Sequence, residues 1–437
     1  MIQKRVEDIV QELINRGSEI SYSDELESSA VNAIKKDYSL EEILRQLSKR
    51  VIDETQTLLD KKNEYGVQFT AGISSCIYLP DFNGNGEYKL KIIGGSRSRS
   101  IDLPIDENTL FDVASITKVY TLLLLFTLEN EGYINLNDRI ADVNPDFSNL
   151  KDFTFNDLIR LHGELQTDGI IKYAPTIEEA YEILKTTFLK SDTRETNKYT
   201  DLGAIIMGKT IERIMSEKLG REVTFNDIMR EYLLDPLGLD NTMFNPPANN
   251  STGNGNLEGL VHDPKSRILG GAVGSAGIFT TSDDLALLAR NIYTVNTVNP
   301  TMLNKEYISR LGEVTFPTSD FSFKGNLGIY LKHPLGLRKT FHPSEFSTGS
   351  FSHEGWIGSI ANFDPYNMIH QNILYNAIYE DSDPSKVKND KPIGFRDASV
   401  EYLAQMTKNT LLILVVKEYY NRYLNQKENI DITERVR

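Results

Sequence analysis

A single cysteine, Cys76, in 437 residues rules out an intramolecular disulfide and any metal site built on clustered thiolates. Histidines are also few, six in all, and no spacing among His162, His262, His333, His342 and His370 matches a zinc site. No metal and no cofactor is therefore expected. Basic residues number 47 against 62 acids, a formal net charge of −15, and no dense Lys/Arg run occurs. That balance argues against nucleic acid and anionic membrane surfaces as partners. Long apolar runs are missing as well: those at 122–126 and 411–416 are far too short to cross a bilayer. The opening Met1-Ile2-Gln3-Lys4-Arg5-Val6-Glu7-Asp8 sets acids where a signal peptide has its apolar core. The expectation is a cytoplasmic protein, or a secreted one if a leader precedes this sequence. A G-x-S-x-G elbow is absent too, since Val273-Gly274-Ser275-Ala276-Gly277 lacks the first glycine.

What is present fits a soluble globular chain with more residues than one simple core usually holds, so two subdomains or one large domain with insertions are expected. Residues 1–62 read as helices. Ile2, Val6, Ile9, Val10, Leu13 and Ile14 form one apolar stripe, and Ser39 with Glu42 spells a capping box. The period then changes to that of strands at 67–79 and 88–93. Between them, Asp81-Phe82-Asn83-Gly84-Asn85-Gly86 imitates a calcium loop, but Ile92 stands where the bidentate Glu belongs, so a hairpin turn is expected. Thr154 with Asp157 marks a helix start within a helix-rich region that runs to about 245. From Gly270 strands at 277–280, 351–363 and 371–379 mix with a helix from about Asp283. A charged connection at 380–392 then leads to a long helix at 398–423.

The stretch Phe111-Asp112-Val113-Ala114-Ser115-Ile116-Thr117-Lys118-Val119-Tyr120, followed by Thr121-Leu122-Leu123-Leu124-Leu125-Phe126, reads as a helix apolar all the way round, which belongs at a domain centre. Its first turn nevertheless carries Ser115 and Lys118, which an i, i+3 spacing sets on one face. A lysine there opposes the helix dipole, and local rules tend to break at functional sites. The pair suits nucleophilic acyl transfer. A serine hydroxyl needs a neighbour to take its proton, and a desolvated lysine can lose its charge and be that neighbour. Unpaired N–H groups at a helix start can meet a developing oxyanion. A serine cap followed by a snorkelling lysine would give the same tetrapeptide, so S-x-x-K does not decide the matter alone.

The text around it does more. Thr109-Leu110-Phe111-Asp112-Val113-Ala114-Ser115-Ile116-Thr117-Lys118 resembles the nucleophile segment of the penicillin-binding-protein and class C β-lactamase family of serine hydrolases, which also contains esterases and D-amino-acid peptidases. Gly132-Tyr133-Ile134-Asn135-Leu136-Asn137-Asp138 is similar to the turn after its helix. Tyr199-Thr200-Asp201-Leu202-Gly203 resembles its Tyr-x-Asn or Tyr-x-Asp motif. Asp235-Pro236-Leu237-Gly238-Leu239-Asp240-Asn241-Thr242 resembles its PLGM-type segment. Leu260-Val261-His262-Asp263-Pro264 with Gly270-Gly271 and Ala276-Gly277-Ile278-Phe279 is similar to the esterase-like branch. Ser352-His353-Glu354-Gly355-Trp356-Ile357-Gly358-Ser359 resembles the third motif in a His-x-Gly form. The resemblance spans about residues 65–380 in the family's order.

It implies an α+β fold, an antiparallel sheet flanked by helices with an inserted all-helical subdomain. The divisions would be a helical extension over 1–62, a sheet subdomain over 63–125 and 270–437, and a helical subdomain over 126–269. Ser115 would be acylated, Lys118 would partner it, and Tyr199 would be the phenolate-type base that shuttles the proton. Asp201 would orient Lys118 and a substrate amide. The N–H groups of Ser115 and Trp356, next to Gly355, would form the oxyanion hole, with His353 in place of a lysine. Taken singly, Tyr199, His353 and Trp356 are equally what a packed core or a structural histidine would supply. There are departures. Arg160-Leu161-His162-Gly163-Glu164-Leu165 replaces a His-Thr-Ser-Gly-Leu signature, and Ser275 stands where the esterase-like branch often has His. Losing the third-motif lysine removes a permanent cation, which tilts the reading from β-lactamase to esterase or peptide amidase. The expected substrate is a small-molecule or peptide acyl compound. The alternative is a penicillin-binding or sensor module that is acylated but turns over slowly.

Overall fold

The computed structural model describes residues 53, 55–80, 87–97, 103–161, 163–191, 193, 198–252, 259–294, 310–311, 351–365, 368–377, 387–388 and 391–392. The strands that frame the site are β1 (Gly72–Pro80), β2 (Glu87–Gly95), β3 (Phe111–Asp112), β4 (Met243–Phe244), β5 (Ile278–Thr280), β6 (Phe351–Glu354), β7 (Ile360–Asp364) and β8 (Ile369–Tyr375). The helices used below are α1 (Thr117–Asn130), α2 (Phe155–Ile159), α3 (Asp201–Leu219), α4 (Pro264–Ile268) and α5 (Ser282–Tyr293).

The larger sheet has five strands in the order β2-β1-β8-β7-β6, all neighbours antiparallel. β1 pairs with β2 from Gly72↔Gly95 to Pro80↔Glu87 and with β8 from Ile73↔Tyr375 to Tyr78↔His370. The first strands of the chain therefore sit beside those that follow residue 350. Helix α5 covers one face. Its amphipathic pattern buries Leu285, Leu288, Ala289 and Ile292, and polar ties fix its ends. Ser74 and Ser282 hydroxyls lie 2.7 Å apart, Asn372 Nδ2 donates to the Ser282 carbonyl at 2.8 Å, and Tyr293 donates to the Ile369 carbonyl at 2.6 Å.

A second sheet, β3-β5-β4, is small, with Phe111 opposite Thr280 and Phe279 opposite Met243. It feeds directly into α1. That helix is buried from Thr117 through Leu128, because a segment apolar on every side is stable only when every side is covered. The loop before β5 is wedged in nearby: a Cβ on Gly274 would lie 2.3 Å from the Ala204 carbonyl oxygen of α3. Only glycine permits that approach. Thr121 of α1 donates to the Gly274 carbonyl at 2.8 Å and holds the loop from the other side.

Several expectations hold. Helix α2 starts on the capping box of Thr154 and Asp157, and α5 begins within a residue of Asp283. Two differ. The segment 351–363 is not one strand, because Gly355 N–H bonds the Ser359 carbonyl at 2.7 Å and closes a turn between β6 and β7. Residues 111–116 are not the start of the buried helix: Phe111 and Asp112 are strand, and Ala114–Ile116 is a 3-10 turn. The expected helices before residue 50, the turn 81–86, the helix 398–423 and most of the connection before it lie outside the described residues, as do His162, His333 and His342. Among the described residues, no helix is long and apolar enough to cross a membrane, and no group of His, Cys, Asp and Glu could hold a metal ion.

Candidate active site

Ser115 sits in the 3-10 turn between β3 and α1, and Lys118 lies one turn on, fully buried. An ammonium has three protons to place, and Lys118 places them on Ser115 Oγ at 3.0 Å, Asp201 Oδ1 at 2.9 Å and the Ser275 carbonyl at 3.0 Å. Burial alone would push this amine down. The Asp201 carboxylate and the Tyr199 phenol outweigh it and hold the group above an ordinary lysine. The sequence left the charge of Lys118 open; here the partners outweigh the burial in setting the direction.

Tyr199 and Asp201 flank Thr200, which caps α3 by accepting the Leu202 N–H at 3.2 Å. That cap turns the chain so that both neighbours reach the same place. The Tyr199 hydroxyl donates to Ser115 Oγ at 2.9 Å, and its ring centroid lies 5.0 Å from Lys118 Nζ. Asp201, in the first turn of α3, is also favoured there by the helix dipole. Burial would raise its carboxyl, yet the ammonium groups of Lys118 and then Lys265 hold it well below the usual carboxylate range.

The third motif stands opposite. His353 is buried on β6 with Nδ1 2.9 Å from the Glu354 carbonyl, and its ring centroid is 6.4 Å from that of Tyr199. Gly355 ends the strand against the nucleophile turn, where a Cβ would come within 2.6 Å of the Val113 carbonyl oxygen. Trp356 follows and is 53% exposed, so it is not a core residue. Tyr199 is 37% exposed and Ser115 is half-buried. All seven residues singled out in the sequence thus lie on the three segments that converge here. A separate cleft of about 490 Å³, lined by Arg221, Arg230, Glu231 and Asp235 among others, has charges that pair among themselves.

Two further groups were not foreseen. Lys265 of α4 places Nζ 2.5 Å from Asp201 Oδ2, so this one carboxylate bridges two lysines. Asp112, buried at the end of β3, accepts the Ala114 N–H at 2.7 Å and the His262 N–H at 2.8 Å, tying the nucleophile turn to the loop that carries Lys265. The departure at Ser275 also gains a meaning, since it is the backbone carbonyl there that receives Lys118.

A hydroxyl, an ammonium and a phenol in mutual contact could carry acyl transfer to a serine. A family model described as Beta-lactamase matches residues 82–389, and the chain belongs to that family of hydrolases. A protein of Escherichia coli (strain K12) named "Putative D-alanyl-D-alanine carboxypeptidase" is 27% identical over 325 residues, 64% of this chain and 72% of its own length. Among solved structures, a class C beta-lactamase gives a TM-score of 0.60 at 18% identity, covering 82% of this chain and 96% of that one. The D-amino acid amidase from Ochrobactrum anthropi SV3 gives 0.59 at 17% identity, covering 83% and 99%. At such identities these two likenesses show the fold alone, an antiparallel sheet with helices.

Proposed function

We propose that this chain is a two-step acyl-enzyme hydrolase with Ser115 as nucleophile, acting on an ester or amide of a small acid or of a D-amino acid. The observation that carries the reading is the meeting on one oxygen: Lys118 Nζ at 3.0 Å and Tyr199 Oη at 2.9 Å from Ser115 Oγ. In the first step Tyr199 acts as a phenolate, its own proton having gone to solvent: Ser115 Oγ bonds the acyl carbon, the serine proton passes to that phenolate oxygen, and Lys118 stays an ammonium beside both. The carbonyl oxygen becomes an oxyanion, received by the N–H groups of Ser115 and Trp356. Collapse breaks the bond to the leaving group, which takes the proton from Tyr199. Water then repeats the sequence on the acyl-enzyme and frees the acid. Asp201 keeps Lys118 charged and aimed, and Gly355 lets the edge strand close against the turn.

The substrate class follows from His353, which leaves β6 without a permanent cation at the third motif. The names of the amidase and of the Escherichia coli relative support an amide or peptide of a D-amino acid. Ser115→Ala should abolish covalent labelling by a fluorophosphonate, read by intact mass, and lower turnover of a p-nitrophenyl ester by roughly 10⁶-fold. A mass shift that persists in that variant would sink the assignment. Labelling of the wild type without turnover of any ester, D-alanyl peptide or cephalosporin would instead favour a slow, acylated sensor.

A further inference from the structure

We infer that Lys265 is a positioning residue of this site: it clamps the free oxygen of Asp201, supplies the cluster's second cation, and lowers the pH at which Ser115 becomes reactive. The inference rests on Ser115 being the nucleophile.

The geometry divides Asp201 cleanly. Oδ1 faces Lys118 at 2.9 Å and Oδ2 faces Lys265 at 2.5 Å. Two ammonium groups on one carboxylate leave one net positive charge directly behind the Ser115 hydroxyl. The other charged groups nearby do not cancel it at the same range. Asp263, on Lys265's own helix, stands 3.8 Å from Nζ and accepts the Ser266 N–H at 2.8 Å. Arg267 is turned to the His262 carbonyl at 2.9 Å. Asp112 is spent on the N–H groups of Ala114 and His262, and His353 faces Tyr199 from β6. Burial would lower the Lys265 amine, but Asp201 and then Asp263 outweigh it, so it is a cation across any ordinary assay range.

A fixed cation beside a proton-bearing cluster makes the loss of a proton easier. Here it acts twice in one direction. Its charge favours the deprotonated cluster directly, and its hold on Oδ2 restrains Asp201 from concentrating on Lys118 and locking the proton there. The sign is the same whether the proton leaves from Lys118 or from Tyr199. The arrangement also restores by another route what β6 lacks: the cation comes from α4 and not from the position of His353. The side chain of Lys265 is 32% exposed, so it lies at the wet edge of the cluster and can be changed without opening the core.

The test is the second-order rate of Ser115 labelling by an uncharged fluorophosphonate between pH 5 and 9, followed by intact mass. Three proteins are compared: wild type, Lys265→Gln and Lys265→Arg. Lys265→Gln should move the acidic limb upward by about one pH unit, with about a tenfold loss at pH 6 and a recovered plateau at high pH. Lys265→Arg should restore the wild-type limb. A uniform loss at every pH, an unmoved limb, or an arginine variant that shifts as far as the glutamine one overturns the role of Lys265. Absence of label on wild-type Ser115 overturns the nucleophile itself.

Discussion

Ala114 has φ of +45°, a conformation that costs a residue with a Cβ about 1–3 kcal/mol. The strain sits directly before Ser115, and Asp112 holds it in place by accepting the Ala114 N–H. Asp112 is an uneasy anchor. Burial pushes its carboxyl up to about 6, against the two N–H groups that favour the anion. Since the folded value exceeds the ordinary carboxyl value of 3.8, the folded chain binds this proton more tightly. The group thus weakens the fold at neutral pH and ceases to do so as pH falls through about 6 towards 4. Asp112→Asn deletes that dependence. The unfolding free energy of wild type minus variant should therefore rise by about 2 kcal/mol between pH 7.5 and 4.5 in urea titrations. A difference that stays flat across that interval would show that Asp112 does not titrate in the folded chain.

Among the elements, β6 is the one whose placement the chemistry depends on most. It ends on Gly355, and the missing Cβ is what lets it approach Val113. Gly355→Ala sets a methyl group against a backbone oxygen that cannot retreat. It should lower stability by about 1–3 kcal/mol and depress kcat more than KM, as thermal unfolding and ester turnover would report. Equal loss in both kinetic constants would detach the turn from the oxyanion. How far sequence reading reached also varies by element. Helix α2 was legible because its capping box is a local code, and Tyr199 and Asp201 were legible because their segment resembles the family's Tyr-x-Asp motif. The turn at 114–116 was not, since an alanine at positive φ leaves no mark in the letters. Nor was the break between β6 and β7, where two strands joined by a tight turn share one apolar period.

Across the whole molecule, the site lies where the small sheet, α1, α3, α4 and the edge of the large sheet come together. Order of motifs along the chain announced the nucleophile, the phenol and the edge strand. Lys265 went unseen because a lysine on a short polar helix looks like any solvated one until the fold brings Asp201 to it. The charge of Lys118 was illegible for the same reason: it depends on distances between segments eighty residues apart. The chain's one tryptophan, half exposed, directly follows Gly355, which abuts Val113 in the segment before Ser115. Its indole emission is therefore an internal signal of occupancy that needs no dye. When a bulky acyl or phosphonyl group is attached at Ser115, fluorescence should shift to the blue and acrylamide should quench it less. The Ser115→Ala protein, given the same reagent, should keep the spectrum of the empty enzyme.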